Sequence, residues 1–582
     1  MRVLLLHPED SLLCGPWARQ RWDLVVDMGK SSSFSEARWA EKSGCAVLRS
    51  DFFRQGIEDV KHVRAIFSAV WGCLIDSEGI DWWSIASLLV VPEALTTLAL
   101  QRLATEINPA AELWATRQGW PASVIAASLG CSVRSFEDGR MAGSAAWALH
   151  YAGLMGRFPV SQIKEIFLDK YDSGYQWRAR FISRPKSSEN PVVLLPSAYG
   201  NVSNMANAYA VLLPQQSFLM VATRQSAKQF TPAANVQVRD LAAYARSSAP
   251  AAEIASLTAR WFELSADLQS SPLMQILIQT GVLNSFPRWL RDGLCARDAW
   301  KTVIEREPVQ AVLCGDDSNL YTRLPVLLAA RKKIPTVDFH HGALDGRYLL
   351  KDLPCAVYLS KNGMEQDYLT RVCGLPEDRI MIGAPGNGRA VSGLLKANET
   401  SVVFFSEPYE SAGMRGEEVY AEILPALCRL AREGGRDVIV KLHPFESRTQ
   451  RRRMLTEVLR SEDLELVTVL DGPLGSEILS KAWFGLTVES TVVVDCVQAG
   501  VSCFLCGWLR LSPFGYVQQY ARFGIGEILQ GPEQLREIPR RLADLHSAPL
   551  NTPTLSNAVR PEKLQAWLTT GVQEKSGMRS AS

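Results

Sequence analysis

The sequence has no excess of charge of either sign. Lys and Arg together number 62 and Asp and Glu number 61, so the formal net charge is +1 over 582 residues. A protein that binds nucleic acid through its phosphates needs a positive surface, because that surface drives the release of counterions. We therefore predict that nucleic acid is not a partner of this chain.

Long apolar runs are also missing. The longest, Ile85–Leu100, contains Pro92 and Glu93 and is shorter than the roughly 20 residues that a helix needs to span a bilayer. The apolar run at the N-terminus, Val3–Leu6, is too short for a secretory signal and is typical of a first β-strand. We expect a cytoplasmic protein without a membrane-spanning segment, in which Pro92 and Glu93 interrupt the apolar stretch.

Cysteine patterns that bind metals or form redox centres are scarce. The 12 cysteines stand at irregular spacing, several of them inside apolar runs, as buried thiols do in a reducing compartment. One C-x-x-C pair, Cys503 and Cys506, has neither a second ligand pair for zinc nor a thioredoxin-like context. We interpret it as part of a hydrophobic strand.

Strand, turn and helix signals alternate along most of the chain. Short β-branched runs are followed by small or polar turns and then by helical stretches, the pattern of parallel sheets with crossover helices. At 582 residues the chain is too long for one core, and polar linkers stand at Ser183–Asn190 and Gly386–Thr400. The predicted domains are an N-terminal α/β accessory domain, 1–184, two Rossmann-like doubly wound domains, 191–388 and 401–569, and a disordered tail, 570–582.

The sharpest local motif is the segment DVIVKLHP, Asp437–Pro444. It predicts a buried strand that delivers Lys441 and His443 to its carboxyl end, the edge at which ligands bind in open α/β sheets. Pro444 cannot extend the strand and fixes the turn after His443. The alternative is a solvated strand end with a capping histidine, and the octapeptide alone leaves both open.

A second motif, Trp483–Gly500, predicts a strand that runs into Ser490 and Thr491 and then a helix. At a helix N-terminus the unpaired backbone N–H groups and the helix dipole favour a phosphate. The plainer interpretation is that the two hydroxyls cap the helix. Both roles are compatible, because the same N–H groups serve them.

Together the two motifs resemble bacterial capsule and cell-surface polysaccharide glycosyltransferases, including polysialyltransferases, CMP-Kdo transferases and CDP-glycerol or CDP-ribitol polymerases. The resemblance covers the predicted domain 401–569 well, the domain 191–388 in outline and the domain 1–184 not at all. It implies an α/β fold of GT-B type, with two Rossmann-like domains facing a cleft and here an extra N-terminal α/β domain. It also implies that His443, Ser490 and Thr491 bind the donor's phosphate, with Lys441 and Pro444 beside them.

The predicted domain 191–388 is similar to the acceptor-side domain of these enzymes. Asp316 and Asp317 follow a strand and precede a helix, and we expect one to cap that helix and the other to act as a catalytic carboxylate. His341, next to Gly342, is expected to line the cleft.

Three further features are candidates for ligand binding. Tyr199 and Asn201 lie in a glycine-containing loop, which would contact the acceptor or be an ordinary turn with Ser203 as helix N-cap. Glu407 closes a strand and would contact the donor or face water. The basic run Arg448–Arg453 would meet a polyanionic acceptor or anionic lipid at the inner membrane face, or form only a solvated helix face.

Four tryptophans of the predicted domain 1–184 are interpreted as core residues, and stacking on sugar rings is the alternative. They are Trp17, Trp22, Trp82 and Trp83.

The predicted function is metal-independent transfer of a sugar, such as a CMP-activated ulosonic acid, from a nucleotide donor to a glycan or lipid-linked acceptor. No cofactor is expected beyond the nucleotide-sugar substrate. The sequence contains no Asp-x-Asp motif flanked by apolar residues, the pattern that indicates a manganese-dependent transferase. We expect His443, Lys441 and the helix start at Ser490 to supply positive charge instead. The alternatives are a nucleotide-sugar 2-epimerase, a CDP-glycerol-type polyol-phosphate transferase and an inactive polysaccharide-binding subunit.

Overall fold

The structure of the protein is a computed structural model. It describes residues 1–7, 10, 16–28, 44–49, 56–136, 178–245, 250–385, 399–412, 414–509, 514–547 and 558–570. The predicted linker Gly386–Thr400, apart from its last two residues, and the predicted tail beyond Thr570 lie outside these described residues. The other predicted linker, Ser183–Asn190, contains neither helix nor strand.

The described strands form three entirely parallel sheets. The N-terminal sheet comprises β1 Arg2–Leu6, β2 Leu24–Asp27, β3 Ala46–Arg49, β4 Glu112–Ala115 and β5 Val133–Ser135. The middle sheet comprises β6 Val192–Ser197, β7 Ser217–Ala222, β8 Val236–Asp240, β9 Val309–Cys314, β10 Thr336–Asp338, β11 Val357–Ser360 and β12 Ile380–Ile382. The C-terminal sheet comprises β13 Ser401–Phe405, β14 Asp437–Lys441, β15 Val467–Leu470, β16 Ala482–Thr487, β17 Cys503–Cys506 and β18 Glu527–Leu529.

The described α-helices are numbered α1 to α17 in chain order. They are α1 Ile57–Ile66, α2 Trp83–Thr105, α3 Trp120–Leu129, α4 Gly200–Val211, α5 Ala251–Asp267, α6 Pro272–Gln279, α7 Phe286–Arg306, α8 Leu320–Arg331, α9 Gly363–Arg371, α10 Gly416–Glu433, α11 Arg448–Val458, α12 Ser461–Leu464, α13 Ser476–Leu479, α14 Val492–Gln498, α15 Tyr516–Arg522, α16 Ile538–Ser547 and α17 Pro561–Thr570.

Each sheet has the Rossmann strand order. The orders are β3-β2-β1-β4-β5, β12-β11-β10-β9-β6-β7-β8 and β15-β14-β13-β16-β17-β18, so the first strand of each sheet lies inside it and later strands extend it on both sides. Central strands such as β6 and β13 are buried along their whole length, which is why they are continuous apolar runs. The predicted α/β fold, with two Rossmann-like sheets and an additional N-terminal α/β sheet, is confirmed.

The chain divides into two compact units that do not follow the predicted domain bounds. Unit 1 comprises 1–56, 96–144 and 389–555, and unit 2 comprises 57–95, 145–388 and 556–582. Unit 1 therefore holds both the N-terminal and the C-terminal sheet, and unit 2 holds the middle sheet. The predicted block 1–184 contributes to both units.

The first segment of unit 2, 57–95, packs against helix α7 of the same unit through buried polar and aromatic contacts. Arg297 on α7 donates to Asp76 at 2.8 Å, and Trp82 fills the space that a side chain at Gly293 would occupy. The last helix, α17, also belongs here, because Leu564 and Trp567 pack in the core of the middle sheet. These partners are distant in sequence, so no local pattern indicates them.

The two sheets of unit 1 are joined by a buried ion pair. Arg415, which precedes α10, donates from its two Nη atoms to the carboxylate of Asp27 at the end of β2, at 2.9 and 3.0 Å. The same side chain donates to the carbonyls of His7 and Asp10. These contacts attach the N-terminal sheet, through residues at the carboxyl ends of β1 and β2, to the segment that leads into α10.

The apolar stretch Ile85–Leu100 lies within one helix, α2, which has 23 residues and is longer than the apolar run. Pro92 stands inside the helix; it removes one backbone hydrogen bond, but buried residues on both sides, such as Val91 and Leu95, keep the helix packed. Of the described helices, α2 is long and apolar enough to span a bilayer, and 56% of its apolar window is buried. Core helices have the same length and composition.

The four tryptophans interpreted as core residues are buried, as predicted. Trp17 and Trp22 are each 6% exposed, and Trp82 and Trp83 are at most 1% exposed. Trp17 packs edge-on against Phe136 with ring centroids 5.8 Å apart.

Candidate functional site

Three loops meet at the carboxyl edge of the C-terminal sheet. Strands β13, β14 and β16 are neighbours in the order β14-β13-β16 and run in the same direction. The residues that follow them, Ser406–Glu407, Leu442–Pro444 and Val488–Thr491, therefore lie at the same edge. We call this group of loops the unit 1 edge.

His443 is held in a defined orientation at the unit 1 edge. Its backbone N–H donates to Glu446 Oε2 at 2.7 Å, and its ring Nδ1 accepts from the Phe445 N–H at 3.3 Å. Because a backbone N–H can only donate, Nδ1 is the acceptor and the proton of the neutral ring is on Nε2. Burial, helped by the charge of Lys441, lowers the pKa of His443, so the ring is neutral at pH 7 and offers an Nε2–H donor.

Sequence reasoning missed the residue that fixes this turn, Glu446. Its carboxylate accepts from Ser406 Oγ and Arg451 Nε, both at 2.7 Å, as well as from the His443 backbone. Arg451 in turn makes a two-point ion pair with Glu410. The local signals are a carboxylate three residues after His443 and an arginine five residues further on, whereas the third partner, Ser406, lies 40 residues away.

Lys441 is not available to a ligand phosphate in the way that was predicted. It is 5% exposed, and its Nζ donates to the carbonyls of Leu442, at 2.9 Å, and Gly472, at 2.6 Å. Burial lowers the pKa of Lys441, against the opposing charges of Asp471 and Glu446. The side chain ties β14 to the loop after β15 and so supports the turn that carries His443.

Of the two roles predicted for Glu407, contact with the donor or exposure to water, the structure excludes exposure to water. It is 8% exposed, and its Oε1 accepts from Thr487 Oγ1 and from the N–H groups of Val488 and Glu489, at 2.9 to 3.0 Å. Burial raises the pKa of Glu407, although these hydrogen bonds oppose the rise. In the structure this carboxylate holds the loop that leads to Ser490 and Thr491.

The two adjacent hydroxyls precede a helix, as predicted, but neither is a strong cap. Ser490 Oγ accepts from Val492 N at a long 3.3 Å, and the Thr491 side chain makes no cap hydrogen bond with the helix α14. Both residues are partly exposed. Their hydroxyls therefore remain open to a ligand at the same edge as His443.

The basic run Arg448–Arg453 divides into structural and exposed residues. Arg451 is 3% exposed, and its pairs with Glu410 and Glu446 make it part of the scaffold that positions His443. Arg453 is exposed and pairs with Glu457 one turn along α11. The run is thus not one uniform basic face.

The middle sheet in unit 2 has a carboxyl edge of its own, where the loops after β9 and β10 lie side by side. We call it the unit 2 edge. Neither Asp316 nor Asp317 caps α8, because Asn319 does so by accepting from the N–H groups of Tyr321 and Thr322. Gly315 is required at the end of β9, since a Cβ there would lie 2.4 Å from Phe339.

Asp317 is a structural carboxylate, and its predicted catalytic role is not supported by its surroundings. It is 0% exposed and lies between two cations. Arg323 Nη1 donates to Oδ2 at 2.9 Å, and Lys351 Nζ donates to Oδ1. With both oxygens engaged in the interior, it has no route to a substrate.

Asp316 keeps the features of a reactive carboxylate. Its Oδ1 accepts from Ser318 N at 3.1 Å and lies 3.5 Å from Arg347 Nη1. Burial alone would raise the pKa of Asp316, but the charges of Arg347, Lys351 and His341 outweigh it, and the pKa is lowered. Asp316 is therefore ionised at neutral pH.

The two histidines after β10 differ in role. His340 is 1% exposed, and its ring nitrogens lie 2.9 Å from the Gly342 carbonyl and 3.0 Å from Glu365 Oε2, which makes it a structural residue. His341 is partly exposed, and burial lowers its pKa to about 4, although Asp316 opposes the shift. A Cβ at Gly342 would meet open space, so the loop beside His341 has room.

Tyr199 and Asn201 belong to the loop and first turn after β6, farther along the unit 2 edge. Tyr199 is the residue before α4, and the alternative with Ser203 as N-cap is wrong, because Ser203 is buried inside that helix and bonds to Ser197 and to the Ala227 carbonyl. Arg224 lies over the Tyr199 ring at 5.3 Å. Asn201 is exposed.

The cysteine pair Cys503 and Cys506 forms the ends of β17, and both thiols are buried. The interpretation as part of a hydrophobic strand is confirmed. Within the described ranges, no three His, Cys, Asp or Glu side chains are grouped so that they could hold a metal ion.

Comparison with known proteins gives likenesses of structure only. No protein-family model matches the chain, and no curated protein matches it. MnaA of S. aureus, solved with UDP, is similar at 11% identity and a TM-score of 0.42, over 66% of this chain and 99% of that chain. A UDP-GlcNAc 2-epimerase from Methanocaldococcus jannaschii is similar at 11% identity and a TM-score of 0.40, over 66% and 100%. A glycosyltransferase from Rickettsia africae is similar at 10% identity and a TM-score of 0.38, over 66% and 95%.

Proposed function

We propose that the protein is a GT-B-type glycosyltransferase that moves a sugar from a nucleotide donor to a glycan or lipid-linked acceptor. The observation that carries the proposal is the orientation of His443. Its Nε2–H donor stands at the carboxyl edge of a Rossmann-order sheet, where nucleotides bind, and the hydroxyls of Ser490 and Thr491 lie at the same edge.

In the proposed reaction, the bond between the donor's anomeric carbon and a phosphate oxygen breaks while a bond to an acceptor oxygen forms. The bonding electrons leave with the phosphate, whose growing charge is stabilised by hydrogen bonds from His443, Ser490 and Thr491. The acceptor's hydroxyl proton passes to a base. Lys441, Glu407 and Glu446 act as positioning residues, through the loops that they hold.

The resemblance of the Lys-x-His-Pro and Ser-Thr motifs to capsule enzymes supports a cytidine nucleotide in the donor. We propose a CMP-activated ulosonic acid as the transferred group and a surface polysaccharide as the product.

The nucleotide preference gives the first test. At equal concentration, CMP or CDP should raise the melting temperature of the full chain more than UDP, GDP or ADP do, because a ligand at 100 times its Kd stabilises by about 2.7 kcal/mol. The measurement is a thermal shift assay with the nucleotide panel. A larger shift with UDP would assign the protein to UDP-sugar chemistry, including epimerisation, and no shift with any nucleotide would refute the proposal.

Independence from metal gives the second test. Because the phosphate charge is assigned to protein donors, transfer from a CMP-sugar should survive 5–10 mM EDTA, a chelator excess of about a thousandfold over micromolar enzyme, with less than about a twofold change in rate. The measurement is the rate of CMP release in the presence of acceptor. Complete loss that Mg²⁺ or Mn²⁺ restores would show that a metal, and not these side chains, carries the charge.

A further inference from the structure

Three buried polar atoms around Asp316 have no hydrogen-bond partner among the described residues. They are Nδ2 of Asn319, Nδ1 of His341 and Nη1 of Arg347. Asn319 lies in the same loop as Asp316, His341 lies on the adjacent loop after β10, and Arg347 Nη1 is 3.5 Å from Asp316 Oδ1. Unsatisfied buried polar atoms are rare in folded proteins, so three of them in one neighbourhood indicate a site that a ligand completes.

The orientation of Asn319 is fixed by its role as helix cap. Its Oδ1 accepts from the N–H groups of Tyr321 and Thr322, at 3.0 and 3.1 Å. Since backbone N–H groups only donate, the atom that faces them must be the oxygen, and the amide Nδ2 is directed away from the helix. The two cap hydrogen bonds of Oδ1 therefore also fix the position of the Nδ2 donor.

The mixture of groups selects the kind of ligand. Asp316 is ionised and only accepts, whereas Arg347 and the Asn319 amide only donate. A phosphate or carboxylate would meet the Asp316 charge, which is unfavourable at this distance. A hydroxyl group has one donor and two acceptor lone pairs, so it can donate to Asp316 and accept from both Arg347 and Asn319.

We propose that Asn319 and Arg347 are binding residues for a hydroxyl group of the acceptor carbohydrate, which they place against Asp316. This inference rests on the proposed function and specifies its acceptor side: the ligand of the unit 2 edge is a glycan bound through a hydroxyl. Asp316 accepts the hydrogen bond of this hydroxyl, and Arg347 and Asn319 donate to its oxygen.

The variants Asn319→Ser and Asn319→Asp test this role, because both keep a capping oxygen and remove the amide donor. Arg347→Gln removes the guanidinium. Arg371→Gln is the matched control, since Arg371 is an exposed arginine of α9 in the same unit that pairs with Asp367 one turn away. The full-length proteins are compared on an array of defined glycans, with melting temperature and the CMP-induced thermal shift measured in parallel.

The wild type should bind at least one glycan on the array, and Arg371→Gln should bind it equally. Asn319→Ser should bind it about threefold to tenfold more weakly, and Arg347→Gln about tenfold to a hundredfold, because the second hydrogen bond involves a charged donor. Asn319→Ser and Arg371→Gln should keep the melting temperature of the wild type, whereas Arg347→Gln should lower it, because the buried Asp316 loses its counter-charge. All variants should keep the CMP shift. A merely structural Asn319 would lower the melting temperature and leave glycan binding intact.

The inference is overturned if no glycan binds, or if the Asn319 and Arg347 variants bind the same glycans as tightly as the wild type. A normal CMP shift in that case would leave the proposed function standing. Glycan binding that depends on these residues without any nucleotide shift would have the opposite meaning: the acceptor site would stand and the transferase proposal would fall.

Discussion

Asp317→Asn is expected to lower the free energy of unfolding by about 3–5 kcal/mol, the cost of breaking a buried ion pair by removing one partner. Asp317 is fully buried, and its carboxylate is the common counter-charge of Arg323 and Lys351. Both cations are themselves buried. Asparagine has almost the same shape but no charge, so the two cations would remain in the interior without compensation.

The measurement is urea unfolding followed by tryptophan fluorescence and circular dichroism. Asp316→Asn is the matched control. The Asp316 carboxylate accepts from Ser318 N, which an amide oxygen can also do, and its other partner, Arg347, is 3.5 Å away and partly exposed, so it can be hydrated when the pair is lost. A change within about 1 kcal/mol is expected. The double variant Asp317→Asn/Lys351→Met should be more stable than Asp317→Asn alone, since it removes one uncompensated cation. If Asp317→Asn unfolds like the wild type yet loses turnover, the carboxylate is catalytic and its structural assignment is wrong.

His443→Ala should lower the turnover number by roughly a hundredfold, the typical effect of removing one preorganised donor from developing charge. The melting temperature should stay close to that of the wild type. Only the ring Nε2–H is proposed to reach the donor phosphate, and the hydrogen bonds that order the turn through Glu446 use the backbone of His443, which alanine keeps.

The assay is release of CMP from a CMP-sugar in the presence of acceptor, with melting temperature measured for each variant. His62→Ala is a control, because His62 is exposed on α1. Ser490→Ala and Thr491→Ala should reduce turnover in the same direction but less, about threefold to tenfold each, since each removes one neutral hydrogen bond. Normal turnover in His443→Ala, or a loss only in proportion to lost folding, would make His443 a structural histidine.

The strands could be predicted from the sequence because each is determined by local pattern. The apolar run before His443, ended by Pro444, gives β14 with His443 two residues beyond its last residue. The strand β16, the hydroxyls Ser490 and Thr491 and the helix α14 follow one another as predicted. Crossover connections between such strands produce parallel sheets, so the fold class also followed from the sequence.

The roles of side chains that look alike in the sequence were decided only by the tertiary structure. Asp316 and Asp317 are adjacent, but the partners that neutralise Asp317 stand 6 and 34 residues away. Lys441 alternates with His443 along the strand, yet the carbonyl of Gly472, 31 residues on, engages it. The helical segment 57–95 packs in unit 2 and not with the N-terminal strands, because Asp76 and Trp82 find buried partners on α7. Burial and pairing of charge depend on contacts between distant residues, whereas strand periodicity and turn chemistry depend on neighbours, so the sequence by itself determined where reactive groups emerge and only the folded chain determined which of them remain free to react.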